Sequence, residues 1–212
     1  VNFATADGSA TQPGDYTAAS GTLTFAPGET SKTVVVQVQG DTTNEAIENF
    51  VVNLTNASNA TIGDAQGTAN IGDDDAPVVV LNEIEVNTIG TDNPFEYIEL
   101  RGGVGASLFN VYFVSIEGDG AAAGTADMVV NLSGATLGSN GLLVIKSPSG
   151  GHNIPAATTI VTDAQLDNAG GGLENGTNSF VLIFSPTAIA ETTDLDTNND
   201  GVLDLPAGAV LI

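Results

Sequence analysis

The chain has 212 residues, enough for one large or two ordinary domains, and carries 26 acidic against three basic residues for a formal net charge of −23. Nucleic acid and anionic membrane surfaces are disfavoured as partners, because both need clustered Lys and Arg and only the scattered Lys32, Arg101 and Lys146 are present. The absence of cysteine excludes disulfides and thiolate metal sites, and no run of about 18 apolar residues marks a membrane-inserting segment.

So acidic a chain repels itself and should depend on cations to stay compact. Its 26 glycines, abundant Thr, Val and Asn, and scarce Lys, Glu and Leu argue against helices. Short β-branched runs separated by Gly, Asn and Asp are the pattern of an all-β protein. Val1 and Ile212 each fall inside a predicted strand and no signal peptide opens the chain, so a piece of something longer is expected. The lack of cystine leans toward a bacterial exoprotein.

In chain order, Val1 to Thr5 alternates as a strand, and Asp7-Gly8 and Pro13-Gly14-Asp15-Tyr16 mark turns. Gly21 to Phe25 is a predicted strand ended by the turn Ala26-Pro27-Gly28-Glu29. Lys32 to Gln39 alternates again with Val34, Val36 and Val38 on one face, and Phe50 to Leu54 and Gly67 to Ile71 complete about five strands. Strands at this spacing suggest a Greek-key sandwich.

The acids of this half concentrate in two places. Asp41, Glu45 and Glu48 are spaced through the loop that leads into the Phe50 strand, and Asp73, Asp74 and Asp75 follow consecutively after the last strand. Carboxylates gathered at one strand end repel unless a hard divalent cation neutralises them. Calcium suits them best, since it takes six to eight oxygens in loose geometry.

The residues Ala4-Thr5-Ala6-Asp7-Gly8-Ser9-Ala10, Gly14-Asp15-Tyr16, Gly21 to Phe25, Pro27-Gly28-Glu29 and Gly40 to Phe50 resemble, in order and spacing, a Calx-β domain. That family is the calcium-binding module of sodium–calcium exchangers and many bacterial surface proteins. The resemblance implies Asp7 as an early ligand, Asp41 as the loop aspartate, Glu45 and Glu48 as the acidic pair, and Asp73, Asp74 and Asp75 as the closing ligands. Two departures imply fewer or weaker sites: Gly40 stands where the exchanger version has a second acid, and the family's opening strands would lie upstream of Val1. A sandwich without them exposes an edge open to strand addition, from the parent chain or from another copy.

Ala76-Pro77 is a short hinge that should hold two domains in a fairly fixed relation, with 1–76 as an N-terminally incomplete Calx-β-like domain and 77–212 as a second one. Val78 to Ile84 reads as a strand and Asp92-Asn93-Pro94 as a turn. Phe95 to Leu100 alternates, with Phe95, Tyr97 and Glu99 on one face and Glu96, Ile98 and Leu100 on the other. Further strands are predicted at Val111–Glu117, Met128–Leu132, Gly141–Lys146 and Ser179–Phe184, a second antiparallel sandwich. Leu81-Asn82-Glu83-Ile84 followed by Glu96-Tyr97-Ile98-Glu99-Leu100 resembles the start of a lamin-tail-type domain, an immunoglobulin-like sandwich, which implies a binding or spacer role.

A second candidate calcium loop spans 194–204, where Asp194, Asp196, Asn198 and Asp200 alternate, Gly201 permits a sharp turn and Asp204 can close the ring. With Asp196 as the first position the twelfth is Ala207, where an EF-hand carries Glu, so a compact stapled loop is expected in place of a helical hand. His152 lies in a Gly-rich loop without a nucleophile-elbow Gly-x-Ser-x-Gly, and the chain has no Trp and only 5% aromatics to stack a sugar. No catalytic residue is therefore expected.

The resulting expectation is two tandem antiparallel, immunoglobulin-like β-sandwiches from an extracellular or cell-surface protein stabilised by calcium. Its role would be structural or adhesive in a surface, matrix or filament protein, with bound ion stiffening the hinge. Its partners would be tandem domains of a longer chain or copies of itself joined by strand addition. The alternative is an accessory region of a secreted phosphatase or nuclease whose catalytic domain lies outside this chain.

Overall fold

Alternating β-branched and aromatic residues, punctuated by Gly, Asn and Asp, produce strands in both halves of the chain, and the described residues form three four-stranded sheets. The structure is a computed structural model describing residues 1–41, 43–73, 75–86, 96–118, 123–167, 173 and 178–212. Asp74, the predicted turn Asp92-Asn93-Pro94 and Phe95 lie outside the described residues. The chain divides into two compact units, Val1–Asp73 and Asp74–Ile212.

The first unit contains β1 (Asn2–Asp7), β2 (Ser20–Thr22), β3 (Glu48–Thr55) and β4 (Gln66–Ile71), ordered β2-β1-β3-β4 and antiparallel throughout. β3 is central, pairing β1 from Asn2↔Thr55 to Asp7↔Phe50 and β4 from Glu48↔Ile71 to Asn53↔Gln66. One face carries a small core of Ala10, Tyr16 and Phe50, packed by Val36, Val52, Ala69 and Ile71. Tyr16 stacks on Phe50 with ring centroids 4.5 Å apart, the favoured geometry for two buried aromatics.

Two predicted strands of this unit differ. The 21–25 strand is confined to Ser20–Thr22, after which Leu23 N donates to Val1 O at 2.8 Å. The alternating run 32–39 forms no extended ladder among the described residues. It meets the chain at the isolated bridge Tyr16↔Val38, where Thr17 N donates to Gln37 O and Gln39 N to Asp15 O. Only Val36 reaches the core, while Val35 and Val38 are exposed, so the run lacks the second partner that would bury both sides of its alternation. The described residues of this unit thus hold one sheet with an apolar cover, where two sheets are expected.

The second unit holds β5 (Val79–Glu85), β6 (Tyr97–Gly102), β7 (Val111–Glu117), β8 (Ala126–Asn131), β9 (Leu142–Lys146), β10 (Thr159–Thr162), β11 (Asn178–Phe184) and β12 (Val210–Leu211), with a 3-10 turn at Ala164–Asp167. One sheet runs β10-β9-β6-β5 and the other β12-β11-β7-β8. Alternate residues of both sheets meet in one core: Val79, Ile98, Leu100, Leu143 and Ile145 from the first, Val111, Phe113, Met128, Val130, Leu182 and Phe184 from the second. The pairing is antiparallel except between β9 and β10, which run parallel from Thr159↔Leu143 to Thr162↔Lys146, against the expectation of a purely antiparallel sandwich. A parallel neighbour requires a crossover connection, and residues 147–158 supply it.

β7 is buried along nearly its whole length, unlike a strand of a two-layer sandwich, whose outer residues face water. Its second face, with Tyr112, Val114 and Ile116, packs with Ile183, Ile189, Leu195, Leu203 and Leu205. Residues 189–205 thus lie as a third layer over the β7–β11 sheet, held by the bridge Thr125↔Asp194 and by Leu195 N donating to Gly124 O at 2.9 Å.

Ser115 lies on the core face of β7, fully buried, with its hydroxyl unpartnered. Ser115→Ala is expected to raise the urea midpoint without changing the slope, by about 1 kcal/mol, since a buried unsatisfied hydroxyl costs at least that much. A lowered midpoint would show that the hydroxyl is needed. Partial burial pushes the Asp127 carboxyl up, and the negative charges of Glu117 and Glu191 add to it. A carboxyl that holds its proton more tightly folded than unfolded favours the fold in acid, and this contribution is lost as pH rises through its raised value. Asp127→Asn should therefore melt higher than the parent at neutral pH, with the difference vanishing below about pH 3, where the aspartate is protonated in both states. A gap that persists in acid would contradict this.

Candidate metal centre

Tyr16 positions the site. Its ring is fully buried against Phe50 and its hydroxyl donates to Asp7 Oδ1 at 2.6 Å, so the residue before it, Asp15, is fixed at the end of the sheet where β3 begins. Asp15 closes the turn that starts at Thr11: its N donates to Thr11 O at 2.9 Å, and its Oδ2 accepts from Thr11 N at 2.6 Å and Thr11 Oγ1 at 3.2 Å. Ser9 and Ala10 are tied to the start of β3, with Asn49 N donating to Ser9 Oγ and Ala10 N to Asn49 O, each at 2.9 Å. Gly8 allows that approach, because a Cβ there would sit 2.5 Å from Asn49 O.

Glu48 opens β3, two residues before the buried Phe50, and Glu45 lies in the loop leading to it. Asp15, Glu45 and Glu48 each offer a carboxylate oxygen, and these three oxygens lie within 4.8 Å of one another. It is the one such grouping of three acidic, His or Cys side chains among the described residues. Burial pushes the Glu48 carboxyl up, and the negative charges of Asp15 and Glu45 and a hydrogen bond with Asp15 raise it further. Oxygens around a Ca²⁺ ion sit roughly 2.3–2.6 Å from it, so three within this separation can share one ion. The donor set is all oxygen and half-buried or exposed, as a hard cation that keeps some water requires.

The other predicted oxygens are placed as follows. Asp73 is drawn to the same loop, its Oδ2 accepting from Asn44 Nδ2 at 2.5 Å and from Glu45 N at 2.8 Å, so it orients the Glu45 backbone. Asp41 is exposed and its Oδ1 accepts from Thr43 N at 2.6 Å, an Asx turn. Asp7 stands outside the cluster of three, its Oδ1 taken by Tyr16 and by Gln12 N. Asp75 is half-buried in the second unit, and Asp74 lies outside the described residues. Asp15 is the member the sequence reading did not select, although Gly14-Asp15-Tyr16 carries its signal: an acid beside an aromatic that must be buried is held in place.

The loop 194–204 is built on different contacts. Leu195 is fully buried beneath it and anchors it to the sheet. Asp196 accepts Asp200 N and Gly201 N, Asn198 accepts Asp200 N, Asp200 accepts Val202 N, Asp194 accepts Asp196 N, and Asp204 accepts Thr197 N and Oγ1. Asn199 and Gly201 take the left-handed backbone that lets the loop turn back on Asp196. Its carboxylates form no group of three within 4.8 Å.

Residues 1–75 match the Calx-beta domain family. The sodium/calcium exchanger 2 of Homo sapiens is 43% identical over 67 residues, which cover 32% of this chain and 7% of that protein. The sodium/calcium exchanger 1 of Canis lupus familiaris is 45% identical over 56 residues, 26% of this chain and 6% of that protein. The chain therefore spans less than a tenth of the length of these curated relatives. By this sequence match the N-terminal unit of the chain is a Calx-beta-like domain.

Proposed function

We propose that the chain is a calcium-stabilised, non-catalytic architectural module of an extracellular or cell-surface protein. The carrying observation is the convergence of Asp15, Glu45 and Glu48 within 4.8 Å in a chain whose formal charge is already −23. Three carboxylates in that space, with Glu48 partly desolvated, are repulsive until a divalent cation joins them. The likeness of residues 1–75 to a segment of sodium/calcium exchangers supports calcium as that cation.

In this reading Asp15, Glu45 and Glu48 hold the ion, Asp73 orients the loop, and Asp41 and Asp7 belong to the wider acidic set of the first unit. Asp194, Asp196, Asn198, Asp200 and Asp204 form a second, independent candidate loop. The second unit takes the immunoglobulin-like sandwich class with a lamin-tail-type character, the first contributes one sheet of such a sandwich, and the module joins tandem domains or further copies of itself in a surface, matrix or filament protein. Extracellular modules bind calcium with dissociation constants of roughly 10⁻⁴–10⁻³ M, matching a site of few charges and high exposure. No helix among the described residues is long and apolar enough to cross a membrane.

Calcium is expected to raise the melting temperature of the first unit and EDTA to reverse it, by about 2.7 kcal/mol at a hundredfold excess over the dissociation constant. Identical melting curves in both, with no binding heat in calorimetry, would sink the reading. Glu48→Gln and Asp15→Asn should each melt higher than the parent without metal, because a repulsive charge is gone, and lose most of the calcium-induced gain. A variant that retained the full gain would remove that residue from the site.

A further inference from the structure

The outer face of the β10-β9-β6-β5 sheet carries a cavity of about 170 Å³ lined by Tyr97, Glu99, Val144, His152, Ile154 and Pro155, together with Asn153. Tyr97 and Glu99 alternate with the buried Ile98 and Leu100, so they face away from the core, and Val144 stands opposite Glu99 on β9. Residues 152–155 wall the other side. His152 meets the Tyr97 ring edge-on, with centroids 5.0 Å apart at 67°.

The charge around this cavity is arranged in one direction. Glu99 lies directly across from Glu83 on β5, and Tyr97 across from Glu85. Like charges directly opposed on a sheet destabilise it unless something positive lies between or beside them. Two cations of the second unit flank the same face, but neither lines the cavity. Lys146, opposite Tyr97, donates its ammonium to Ser147 O and Gly150 O at 2.8 Å each, and Arg101 is exposed beyond Glu99. The one ion pair among the described residues is Lys32–Glu29, in the first unit. Glu99 keeps a neutral contact, accepting from Asn82 Nδ2 at 2.6 Å.

We propose that this cavity is a binding site for a single alkylammonium group, free or as the end of a lysine side chain. Two aromatic rings and three aliphatic side chains take the hydrocarbon, the Tyr97 ring offers an electron-rich face to a cation, and Glu99 supplies the carboxylate. A bare divalent metal fits less well, because Glu99 is the only carboxylate among the described lining residues. The volume is below the roughly 300–1,000 Å³ of drug-sized sites, which restricts the ligand to one small group. The Tyr97 hydroxyl is consistent with this: burial, a hydrogen bond to Glu83 and the charges of Glu83, Glu85 and Glu99 push it up to about 12. The part of that shift owed to Glu83, Glu85 and Glu99 is a negative potential, which a cation relieves.

The test is an NMR titration of the whole chain at mildly alkaline pH, following the Tyr97 and His152 ring resonances. Butylammonium should give saturable shifts in both rings, and 1-butanol, of the same shape without charge, should give none. Glu99→Gln, an isosteric change on an outward face, should weaken butylammonium about tenfold, and His152→Ala should weaken it through loss of the covering ring. Nα-acetyl-lysine methylamide binding more tightly than butylammonium would assign the site to a polypeptide lysine, and equal binding would assign it to free amines. Equal shifts with butanol, unchanged affinity in Glu99→Gln, or no saturable shift with any amine would each overturn the proposal.

Discussion

With three basic residues available, the acidic groups of this chain cannot be balanced by ion pairs, and the structure shows what they use in their place. Most described aspartates accept a backbone N–H within five residues. Asp15 takes Thr11, Asp41 takes Thr43, Asp64 takes Gln66, Asp163 takes Gln165, and the 194–204 loop repeats the device along its length. Each such bond gives a carboxylate a local donor and fixes a turn, so negative charge becomes the means of folding loops. The device fails where acids converge faster than N–H groups can serve them. Glu45 and Glu48 meet Asp15 there, and Glu48 responds by holding its proton more tightly.

The same constraint explains how two differently built acidic loops coexist. At the head of β3 the carboxylates come from two separate places in the chain, the turn at Asp15 and the loop leading into β3, brought together by the packing of Tyr16 on Phe50. In 194–204 they come from one continuous stretch whose backbone folds around Asp196 and Asp204. The first arrangement leaves oxygens facing one another, and the second turns them inward onto their own amides. A cation therefore changes the first more than the second, because it replaces repulsion there and would have to displace hydrogen bonds in the other.

Much of this was legible from residue order. The alternation of Ile98 and Leu100 against Tyr97 and Glu99 set which face of β6 is buried, and Val111–Glu117 coincides with the observed strand. Glu45 and Glu48 could be read as partners because only Ala46 and Ile47 separate them and an apolar strand follows. Asp15 was harder to select. Its closeness to Glu48 arises from the packing of Tyr16 on Phe50, a contact across 34 residues that no local spacing encodes. The parallel strand β10 was hidden for a similar reason: Thr159–Thr162 is four residues long and half-exposed, without enough periodicity to stand out.

The third layer over β7 and β11 is the clearest case of tertiary context overriding a local reading. Asp194 to Asp204 looks like a polar surface loop, since its charged and amide side chains dominate any hydropathy pattern. Yet Leu195, Leu203 and Leu205 within and beside it, with Ile189 before it, cover Tyr112, Val114 and Ile183. Their spacing matches neither a helix nor a strand, because the turns at Asn199 and Gly201 set it. The run of β7, Val-Tyr-Phe-Val-Ser-Ile, apolar but for one serine, already requires such a cover: a strand buried on both faces needs two layers of apolar partners, and only one can be the opposite sheet. That requirement makes the acidic loop part of the core of the second unit, its apolar residues holding the fold while its carboxylates hold the turns.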